Sequence, residues 1–361
     1  MRMERGCAWV SESSFLPYLE ESSGNEPAAW ELYEWNAKVS SALSEVIHHV
    51  EVLLRNSMIQ ELSKLHPLAY PWHTDNKTVS AVASKLSRKL GDATATENDV
   101  ISHLNLGFWK KFLQDKPVAN EELWRTCLKD AFPHAIVDRK TVLYAVEDLF
   151  EIRNRCAHHD SLLRFDPHVE LKKILKLARW IDPNAGSWLA EIESVSVVAK
   201  TRPVAPNLDT AVLGDSDDRT FRVYERTGAV INQTGRKIGP VKYLGFYHDR
   251  RIQPCFPRIE RIEVPTIWNL REAQRLKSSE NQEEKALGKI MQFGLNNGFP
   301  AGGNYEVYVV TGKNSEDTLR TTSGEPVHHH KKGRGSGFVK GGLRYFPISS
   351  LIHSTDTSEL A

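Results

Sequence analysis

Arg153, Asn154 and His158 stand together in EIRNRCAHHDSLL, residues 151–163, with Arg155, His159 and Asp160 among them. Imidazole exchanges protons near neutral pH, and guanidinium grips phosphate through a fork of N–H donors. The combination suits phosphodiester cleavage without a metal: the ring takes or gives a proton while the arginine balances charge gathering on phosphorus. RNA supplies its own nucleophile in the 2′-hydroxyl. The competing reading of the same residues is a helix end in water, where cations favour the C-terminal dipole.

Such chemistry needs a helix to hold it. Asn154 and His158 are four apart and share a helix face, and Arg153 must use its length to reach the same space. From Trp30 to about Ala199 apolar residues recur at intervals of three and four with few glycines, which predicts a helical bundle. Its longest helix is expected over Ala37–Leu65, where Val39, Leu43, Val46, Val50, Leu54 and Met58 share a stripe and Pro67 ends it. Shorter helices are expected near Thr78–Leu90, Glu97–Gln114, Asn120–Ala131, Arg139–Arg153 and Pro167–Trp180, with a brief turn before a last helix.

Residues Lys200–Thr220 combine prolines with an acidic cluster and no periodicity, and read as a linker. Beyond them, runs rich in β-branched and aromatic residues, such as FRVYERTGAVI, VKYLGFYHDRRI and NYEVYVVTG, predict strands, with one helix near Ile267–Phe293. The expected fold class is α + β in separate domains: an all-helical domain over residues 1–199, a linker over 200–220, and a mostly β, small barrel-like recognition or sensor domain over 221–361.

Composition narrows the classes. The 361 residues carry 47 Lys plus Arg against 46 Asp plus Glu, so a nucleic-acid partner must be held by local patches and not by a global field. Cys7, Cys127, Cys156 and Cys255 are far apart and form no C-x-x-C pair, which argues against a structural zinc site and fits a reducing cytoplasm. No stretch approaches the roughly 20 apolar residues of a membrane helix. No Cys/His set or carboxylate cluster is spaced for a catalytic metal, so no cofactor is expected.

Three stretches in order carry a resemblance. HHVEVLLRNSMIQEL has Glu51, Leu54, Arg55 and Asn56 at the positions of an E-x-x-L-R-N helix. VISHLNLGFWKKFL has Leu104, Gly107, Phe108 and Trp109 of a Leu-x-x-Gly-Phe-Trp segment, and DLFEIRNRCAHHDSLL holds R-N-x-x-x-H with a trailing His and acid. Over roughly residues 30–195 the chain resembles the Abi-like branch of the HEPN superfamily, known from bacterial phage defence. The resemblance implies an all-helical domain with a metal-independent endoribonuclease site, completed by a second protomer in a homodimer. It implies that Arg153 contacts the scissile phosphate, Asn154 orients the site and His158 serves as acid or base. Glu51 and Arg55 are then supporting residues, as are His159 and Asp160, the latter a carboxylate able to fix an imidazole tautomer. RNA is the implied substrate; an antitoxin, a noncoding RNA or a phage trigger stands as a candidate partner.

Each assignment has a plainer counterpart. Glu51 and Arg55 at i,i+4 also make an intrahelical ion pair worth a few tenths of a kcal/mol. Gly107–Trp109 reads as core packing, and His48 and His49 as an edge of the bundle. Between His328 and Arg344 no acid occurs, and Lys331, Lys332, Arg334, Lys340 and Arg344 precede Tyr345 and Phe346. A basic loop beside exposed aromatics suits single-stranded nucleic acid; a solvated hairpin loop is the alternative. Its glycines lack the order of a phosphate loop. At the level of the whole chain, a HEPN bundle that holds RNA or a partner protein without cutting, or a purely structural domain, competes with the nuclease.

Overall fold

The computed structural model describes residues 9–65, 77–90, 96–116, 119–214, 218–233, 235–331, 338–339 and 342–360. The chain forms two compact units: Ser44–Asn154 with Lys173–Glu193, and Met1–Leu43 with Arg155–Lys172 and Ser194–Ala361. The N-terminal region is helical: α1 (Glu12–Glu21), α2 (Glu26–Leu65), α3 (Lys77–Leu90), α4 (Glu97–Ser102), α5 (Leu106–Lys111), α6 (Ala119–Thr126), α7 (Arg139–Ala157), α8 (Pro167–Ile181), α9 (Pro183–Ile192) and α10 (Val195–Ala199).

The apolar stripe foreseen on α2 is buried from Val39 through Leu62. The helix nevertheless starts at Glu26 rather than Ala37, because Trp30, Leu32 and Trp35 continue the stripe inward. The single helix expected over Glu97–Gln114 is two, α4 and α5. Asn105 breaks it: its side chain accepts a bond from the Phe108 N–H at 3.0 Å and caps a new helix. Phe108 and Trp109 are core residues. Arg139 anchors the start of α7, donating to Glu121 Oε2 at 2.8 Å, to Asp115 Oδ1 at 2.7 Å and to the Leu113 carbonyl.

The C-terminal strands are β1 (Thr210–Gly214), β2 (Ala229–Gln233), β3 (Tyr243–His248), β4 (Arg251–Ile252), β5 (Cys255–Phe256), β6 (Ile259–Glu263), β7 (Tyr305–Val310), β8 (Leu319–Arg320), β9 (Val327–His328) and β10 (Leu343–Phe346). They form sheets ordered β10-β1-β3-β4-β9, β2-β7-β6 and β5-β8. Interleaved are α11 (Arg219–Thr227), α12 (Leu270–Lys277), α13 (Gln282–Asn296) and α14 (Ile348–His353).

Three expectations are corrected here. The supposed linker contains β1, an inner strand parallel to β3 and antiparallel to β10. Ala211 and Leu213 enter one apolar cluster with Tyr224, Leu244 and Phe246, while Val212 enters another with Phe256 and Phe346. Both faces of the strand are therefore covered, and it shows no polar alternation to read. FRVYERT, expected as strand, is the body of α11: Thr220, Val223 and Tyr224 are buried at helical spacing, and Gly228 at φ 65° closes the helix. The single helix foreseen near Ile267–Phe293 is α12 and α13, separated where Asn281 caps the second by accepting from the Glu283 and Glu284 N–H groups.

Helices α12 and α13 meet closely at Gly288, where a Cβ would lie 2.6 Å from the Ala273 carbonyl oxygen and 2.7 Å from the Lys277 nitrogen. Both neighbours are backbone and cannot swing aside. Gly288→Ala is expected to cost about 1–3 kcal/mol in chemical denaturation. Arg139 gives a pH-dependent expectation. Its hydrogen bonds hold the Asp115 and Glu121 carboxyls below their ordinary values of 3.8 and 4.5. The stability so contributed is full above those values and is lost as pH falls through the lowered ones. The stability gap between wild type and Arg139→Ala, measured by denaturation at pH 7 and again below pH 4, should narrow in acid.

Candidate functional site

Helix α7 buries Val142, Val146, Leu149, Ile152 and Cys156 along one stripe, leaving Arg153 and Asn154 on its half-buried flank. Arg153 Nε donates to Glu51 Oε1 of α2 at 3.2 Å, with the two side chains 38% and 27% exposed. A second Arg153 nitrogen donates to Asn154 Oδ1 at 3.4 Å. Arg153, Asn154 and Glu51 are thus brought together. The carboxylate fixes the guanidinium along its Nε edge, and the part-exposed head keeps donors to offer an anion. Arg55 turns elsewhere, donating to Asn56 Oδ1 at 3.3 Å and to the Ser102 carbonyl at 3.4 Å. Glu51 pairs across helices with Arg153, in place of the intrahelical pair with Arg55 that the i,i+4 spacing suggested.

α7 extends past the expected end at Arg153 to Ala157. It closes with a pair of backbone bonds: His159 N–H donates to Cys156 O at 3.3 Å and Asp160 N–H to Arg155 O at 2.9 Å. His159 has φ 59°, the left-handed conformation usually given to glycine. His158 is therefore the helix cap, four residues after Asn154, and His159 the reversing residue beyond it. Both rings are exposed. Asp160 is also exposed, and among the described residues its carboxylate makes no hydrogen bond to either ring. Its backbone is held instead: the buried Asn36 of α2 accepts from the Leu162 N–H at 2.7 Å and donates to the Asp160 carbonyl at 3.5 Å. Arg155, though part of the basic run in sequence, lies over the Phe165 ring at 4.7 Å.

The second predicted site is altered more. Lys332, Arg334 and Lys340 lie outside the described residues. The Lys331 carbonyl accepts from Arg250. Arg344 lies over the rings of Phe338 at 4.7 Å and Phe346 at 4.9 Å. Those rings are buried, and the Tyr345 hydroxyl accepts from the Gly239 N–H at 2.8 Å and donates to the Lys237 carbonyl at 3.2 Å. Of the two aromatics expected to face solvent, Phe346 is interior and Tyr345 is half-buried with its hydroxyl bonded on both sides, so they offer no open stacking platform. His329 is buried, with Nδ1 2.7 Å from Thr357 Oγ1.

Sequence reasoning missed a basic cleft of about 750 Å³ lined by Arg219, Arg222 and Arg226 of α11 and by Phe293, Asn296 and Asn297. The signal was present: apolar Val223 and Tyr224 followed by Gly228 mark a helix, and a helix puts those arginines on one side. Among the described residues no three His, Cys, Asp or Glu side chains gather as a metal site. Among the same residues no helix is long and apolar enough to cross a membrane.

No protein-family model matches the chain, and no curated protein or solved structure matches it.

The helix end separates the two histidines experimentally. A Cβ in the left-handed region costs about 1 kcal/mol, so His159→Gly is expected to raise unfolding free energy by up to about 1 kcal/mol in denaturant titration. A drop in stability instead would mean that the His159 ring makes interactions worth more than its backbone strain.

Proposed function

We propose that the chain is a metal-independent endoribonuclease of the Abi-like HEPN type, acting in the bacterial cytoplasm in an abortive-infection or toxin–antitoxin system. The observation that carries this reading is the Glu51–Arg153–Asn154 cluster on α2 and α7, followed on the same helix by an exposed imidazole at the cap, His158. In the proposed reaction the 2′-oxygen of RNA attacks phosphorus, the O2′–P bond forms and the P–O5′ bond breaks. His158 takes the 2′ proton or protonates the leaving 5′-oxygen, and a second protomer of a homodimer supplies the complementary group. Arg153 balances charge on the non-bridging oxygens. The products are a 2′,3′-cyclic phosphate and a free 5′-hydroxyl. The strand-rich region selects RNA or senses a trigger in this account, and an antitoxin, a noncoding RNA or a phage component is the candidate partner.

One observation favours a second reading, a bundle that holds RNA or a protein without cutting. Neither His158 nor His159 has, among the described residues, a side-chain acceptor to fix its tautomer, a support that acid–base histidines commonly use.

The two readings separate in EDTA with total RNA as substrate. Wild type should cleave and leave cyclic phosphate ends, while an Arg153→Ala/His158→Ala protein matched for folding by circular dichroism should be at least a hundredfold slower. His159→Gly should retain cleavage. Equal cleavage by wild type and the double variant would overturn the nuclease assignment, and salt-sensitive binding without new ends would favour the non-catalytic reading.

A further inference from the structure

Arg219, Arg222 and Arg226 recur at intervals of three and four on α11, so they share one helix face over roughly 10 Å of axis. That face is one wall of the 750 Å³ cleft, and the end of α13 with its following turn is the other. A neighbouring cleft of about 280 Å³ shares Arg219 and adds Gln233 and Arg236. The larger volume lies within the range of ligand sites, roughly 300–1,000 Å³. Among the described residues, Glu225 is the one carboxylate lining the larger cleft, against three guanidiniums, and none lines the smaller.

The two outer arginines are disposed to be used, while Arg219 is half-buried over the Phe299 ring at 5.9 Å. Arg222 and Arg226 are exposed, and the Asp218 partner of Arg222, at 2.9 Å, is itself 45% exposed. Such a pair is weak in water, and a phosphate can replace it. Gly298, at φ +88°, lets the chain turn directly against Arg219, whose guanidinium nitrogen would be 3.2 Å from a Cβ there. Phe293 is half-buried, and the amide side chains of Asn296 and Asn297 are exposed beside it.

We propose that this face of α11 is a binding track for a single strand of RNA, its phosphates on Arg219, Arg222 and Arg226 and a base against Phe293. The cations are strung along the helix and continue through Arg219 into a second cleft toward Arg236, a layout that follows a chain of phosphates. A mononucleotide would call for convergence on one point. Guanidiniums interleaved with an aromatic ring and side-chain amides suit bases and backbone together. The choice of RNA rests on the ribonuclease reading; the track is tested apart from it.

The probe is a fluorescein-labelled 2′-O-methyl RNA 15-mer, which has no free 2′-hydroxyl and cannot be cut, titrated with the full chain by fluorescence anisotropy at several salt concentrations. Arg222→Glu/Arg226→Glu is expected to weaken binding at least tenfold and to reduce the slope of log K against log salt by about 1.4, near 0.7 for each phosphate that is no longer neutralised. A control reversal on α3, Arg88→Glu/Lys89→Glu, lines neither cleft and should change affinity less than threefold. Equal weakening by both pairs would mean general electrostatics and would overturn the track, as would unchanged binding by the α11 variant. Displacement of the 15-mer by ATP at equimolar concentration would assign the cleft to a mononucleotide instead. Each result is read from binding, so absence of cleavage by the wild type, or equal cleavage by the Arg153→Ala/His158→Ala protein, leaves it untouched.

Discussion

The amide of Asn36 holds the chain as it leaves α7, and the disposition of both histidines follows from that hold. A helix end leaves backbone groups without partners. Here the carbonyls of Arg155 and Cys156 are taken by the following turn, and Asn36 takes the Leu162 N–H. An unpaired buried N–H costs about 1–3 kcal/mol, which is the scale on which this exit path is enforced. The adjacent Trp35 is bonded to the Val198 carbonyl at 3.1 Å, so one turn of α2 fixes two returning segments. The imidazoles stand exposed on a reversal whose backbone is determined, the circumstance in which a side chain can be both accessible and positioned.

Burial sorts the arginines into separate tasks. Arg139 ties three groups at the start of α7. Arg202 pairs with Glu21 and lies over Trp35 at 5.2 Å, and burial lowers its proton affinity. Arg344 covers two core phenylalanines. Arg153 is intermediate, half-covered with one edge held by Glu51. The outer arginines of α11 remain in solvent. Planar, weakly hydrated guanidinium serves all these environments because it can stack on rings as well as bond to oxygen.

The helices were legible because periodicity reports burial directly: the stripe from Val39 to Leu62 is also the buried one. The tie between Glu51 and Arg153, 102 residues apart, follows from no local spacing and was suggested only through the resemblance. The C-terminal region was harder. Strands such as β4, β5, β8 and β9 have two residues each, and pairing partners, not propensity, decide their existence. In α11, Phe221, Val223 and Tyr224 favour strand by type, while tertiary packing selects helix. The basic run near Arg344 misled because charge was visible in the sequence and the burial of its neighbouring rings was not.

The place of β1 between β3 and β10 has a consequence for biosynthesis. β1 and β3 are made early in this region, but β10 follows all the intervening strands and helices. During translation one side of β1 therefore presents unpaired N–H and C=O groups while every element between is being made. An open strand edge is a template for other chains. The apolar run TAVLG must wait for a distant partner, and pairing across such a separation is slow. A nascent chain of this protein is thus most exposed to association, and most in need of a chaperone, in the interval before Leu343–Phe346 emerges.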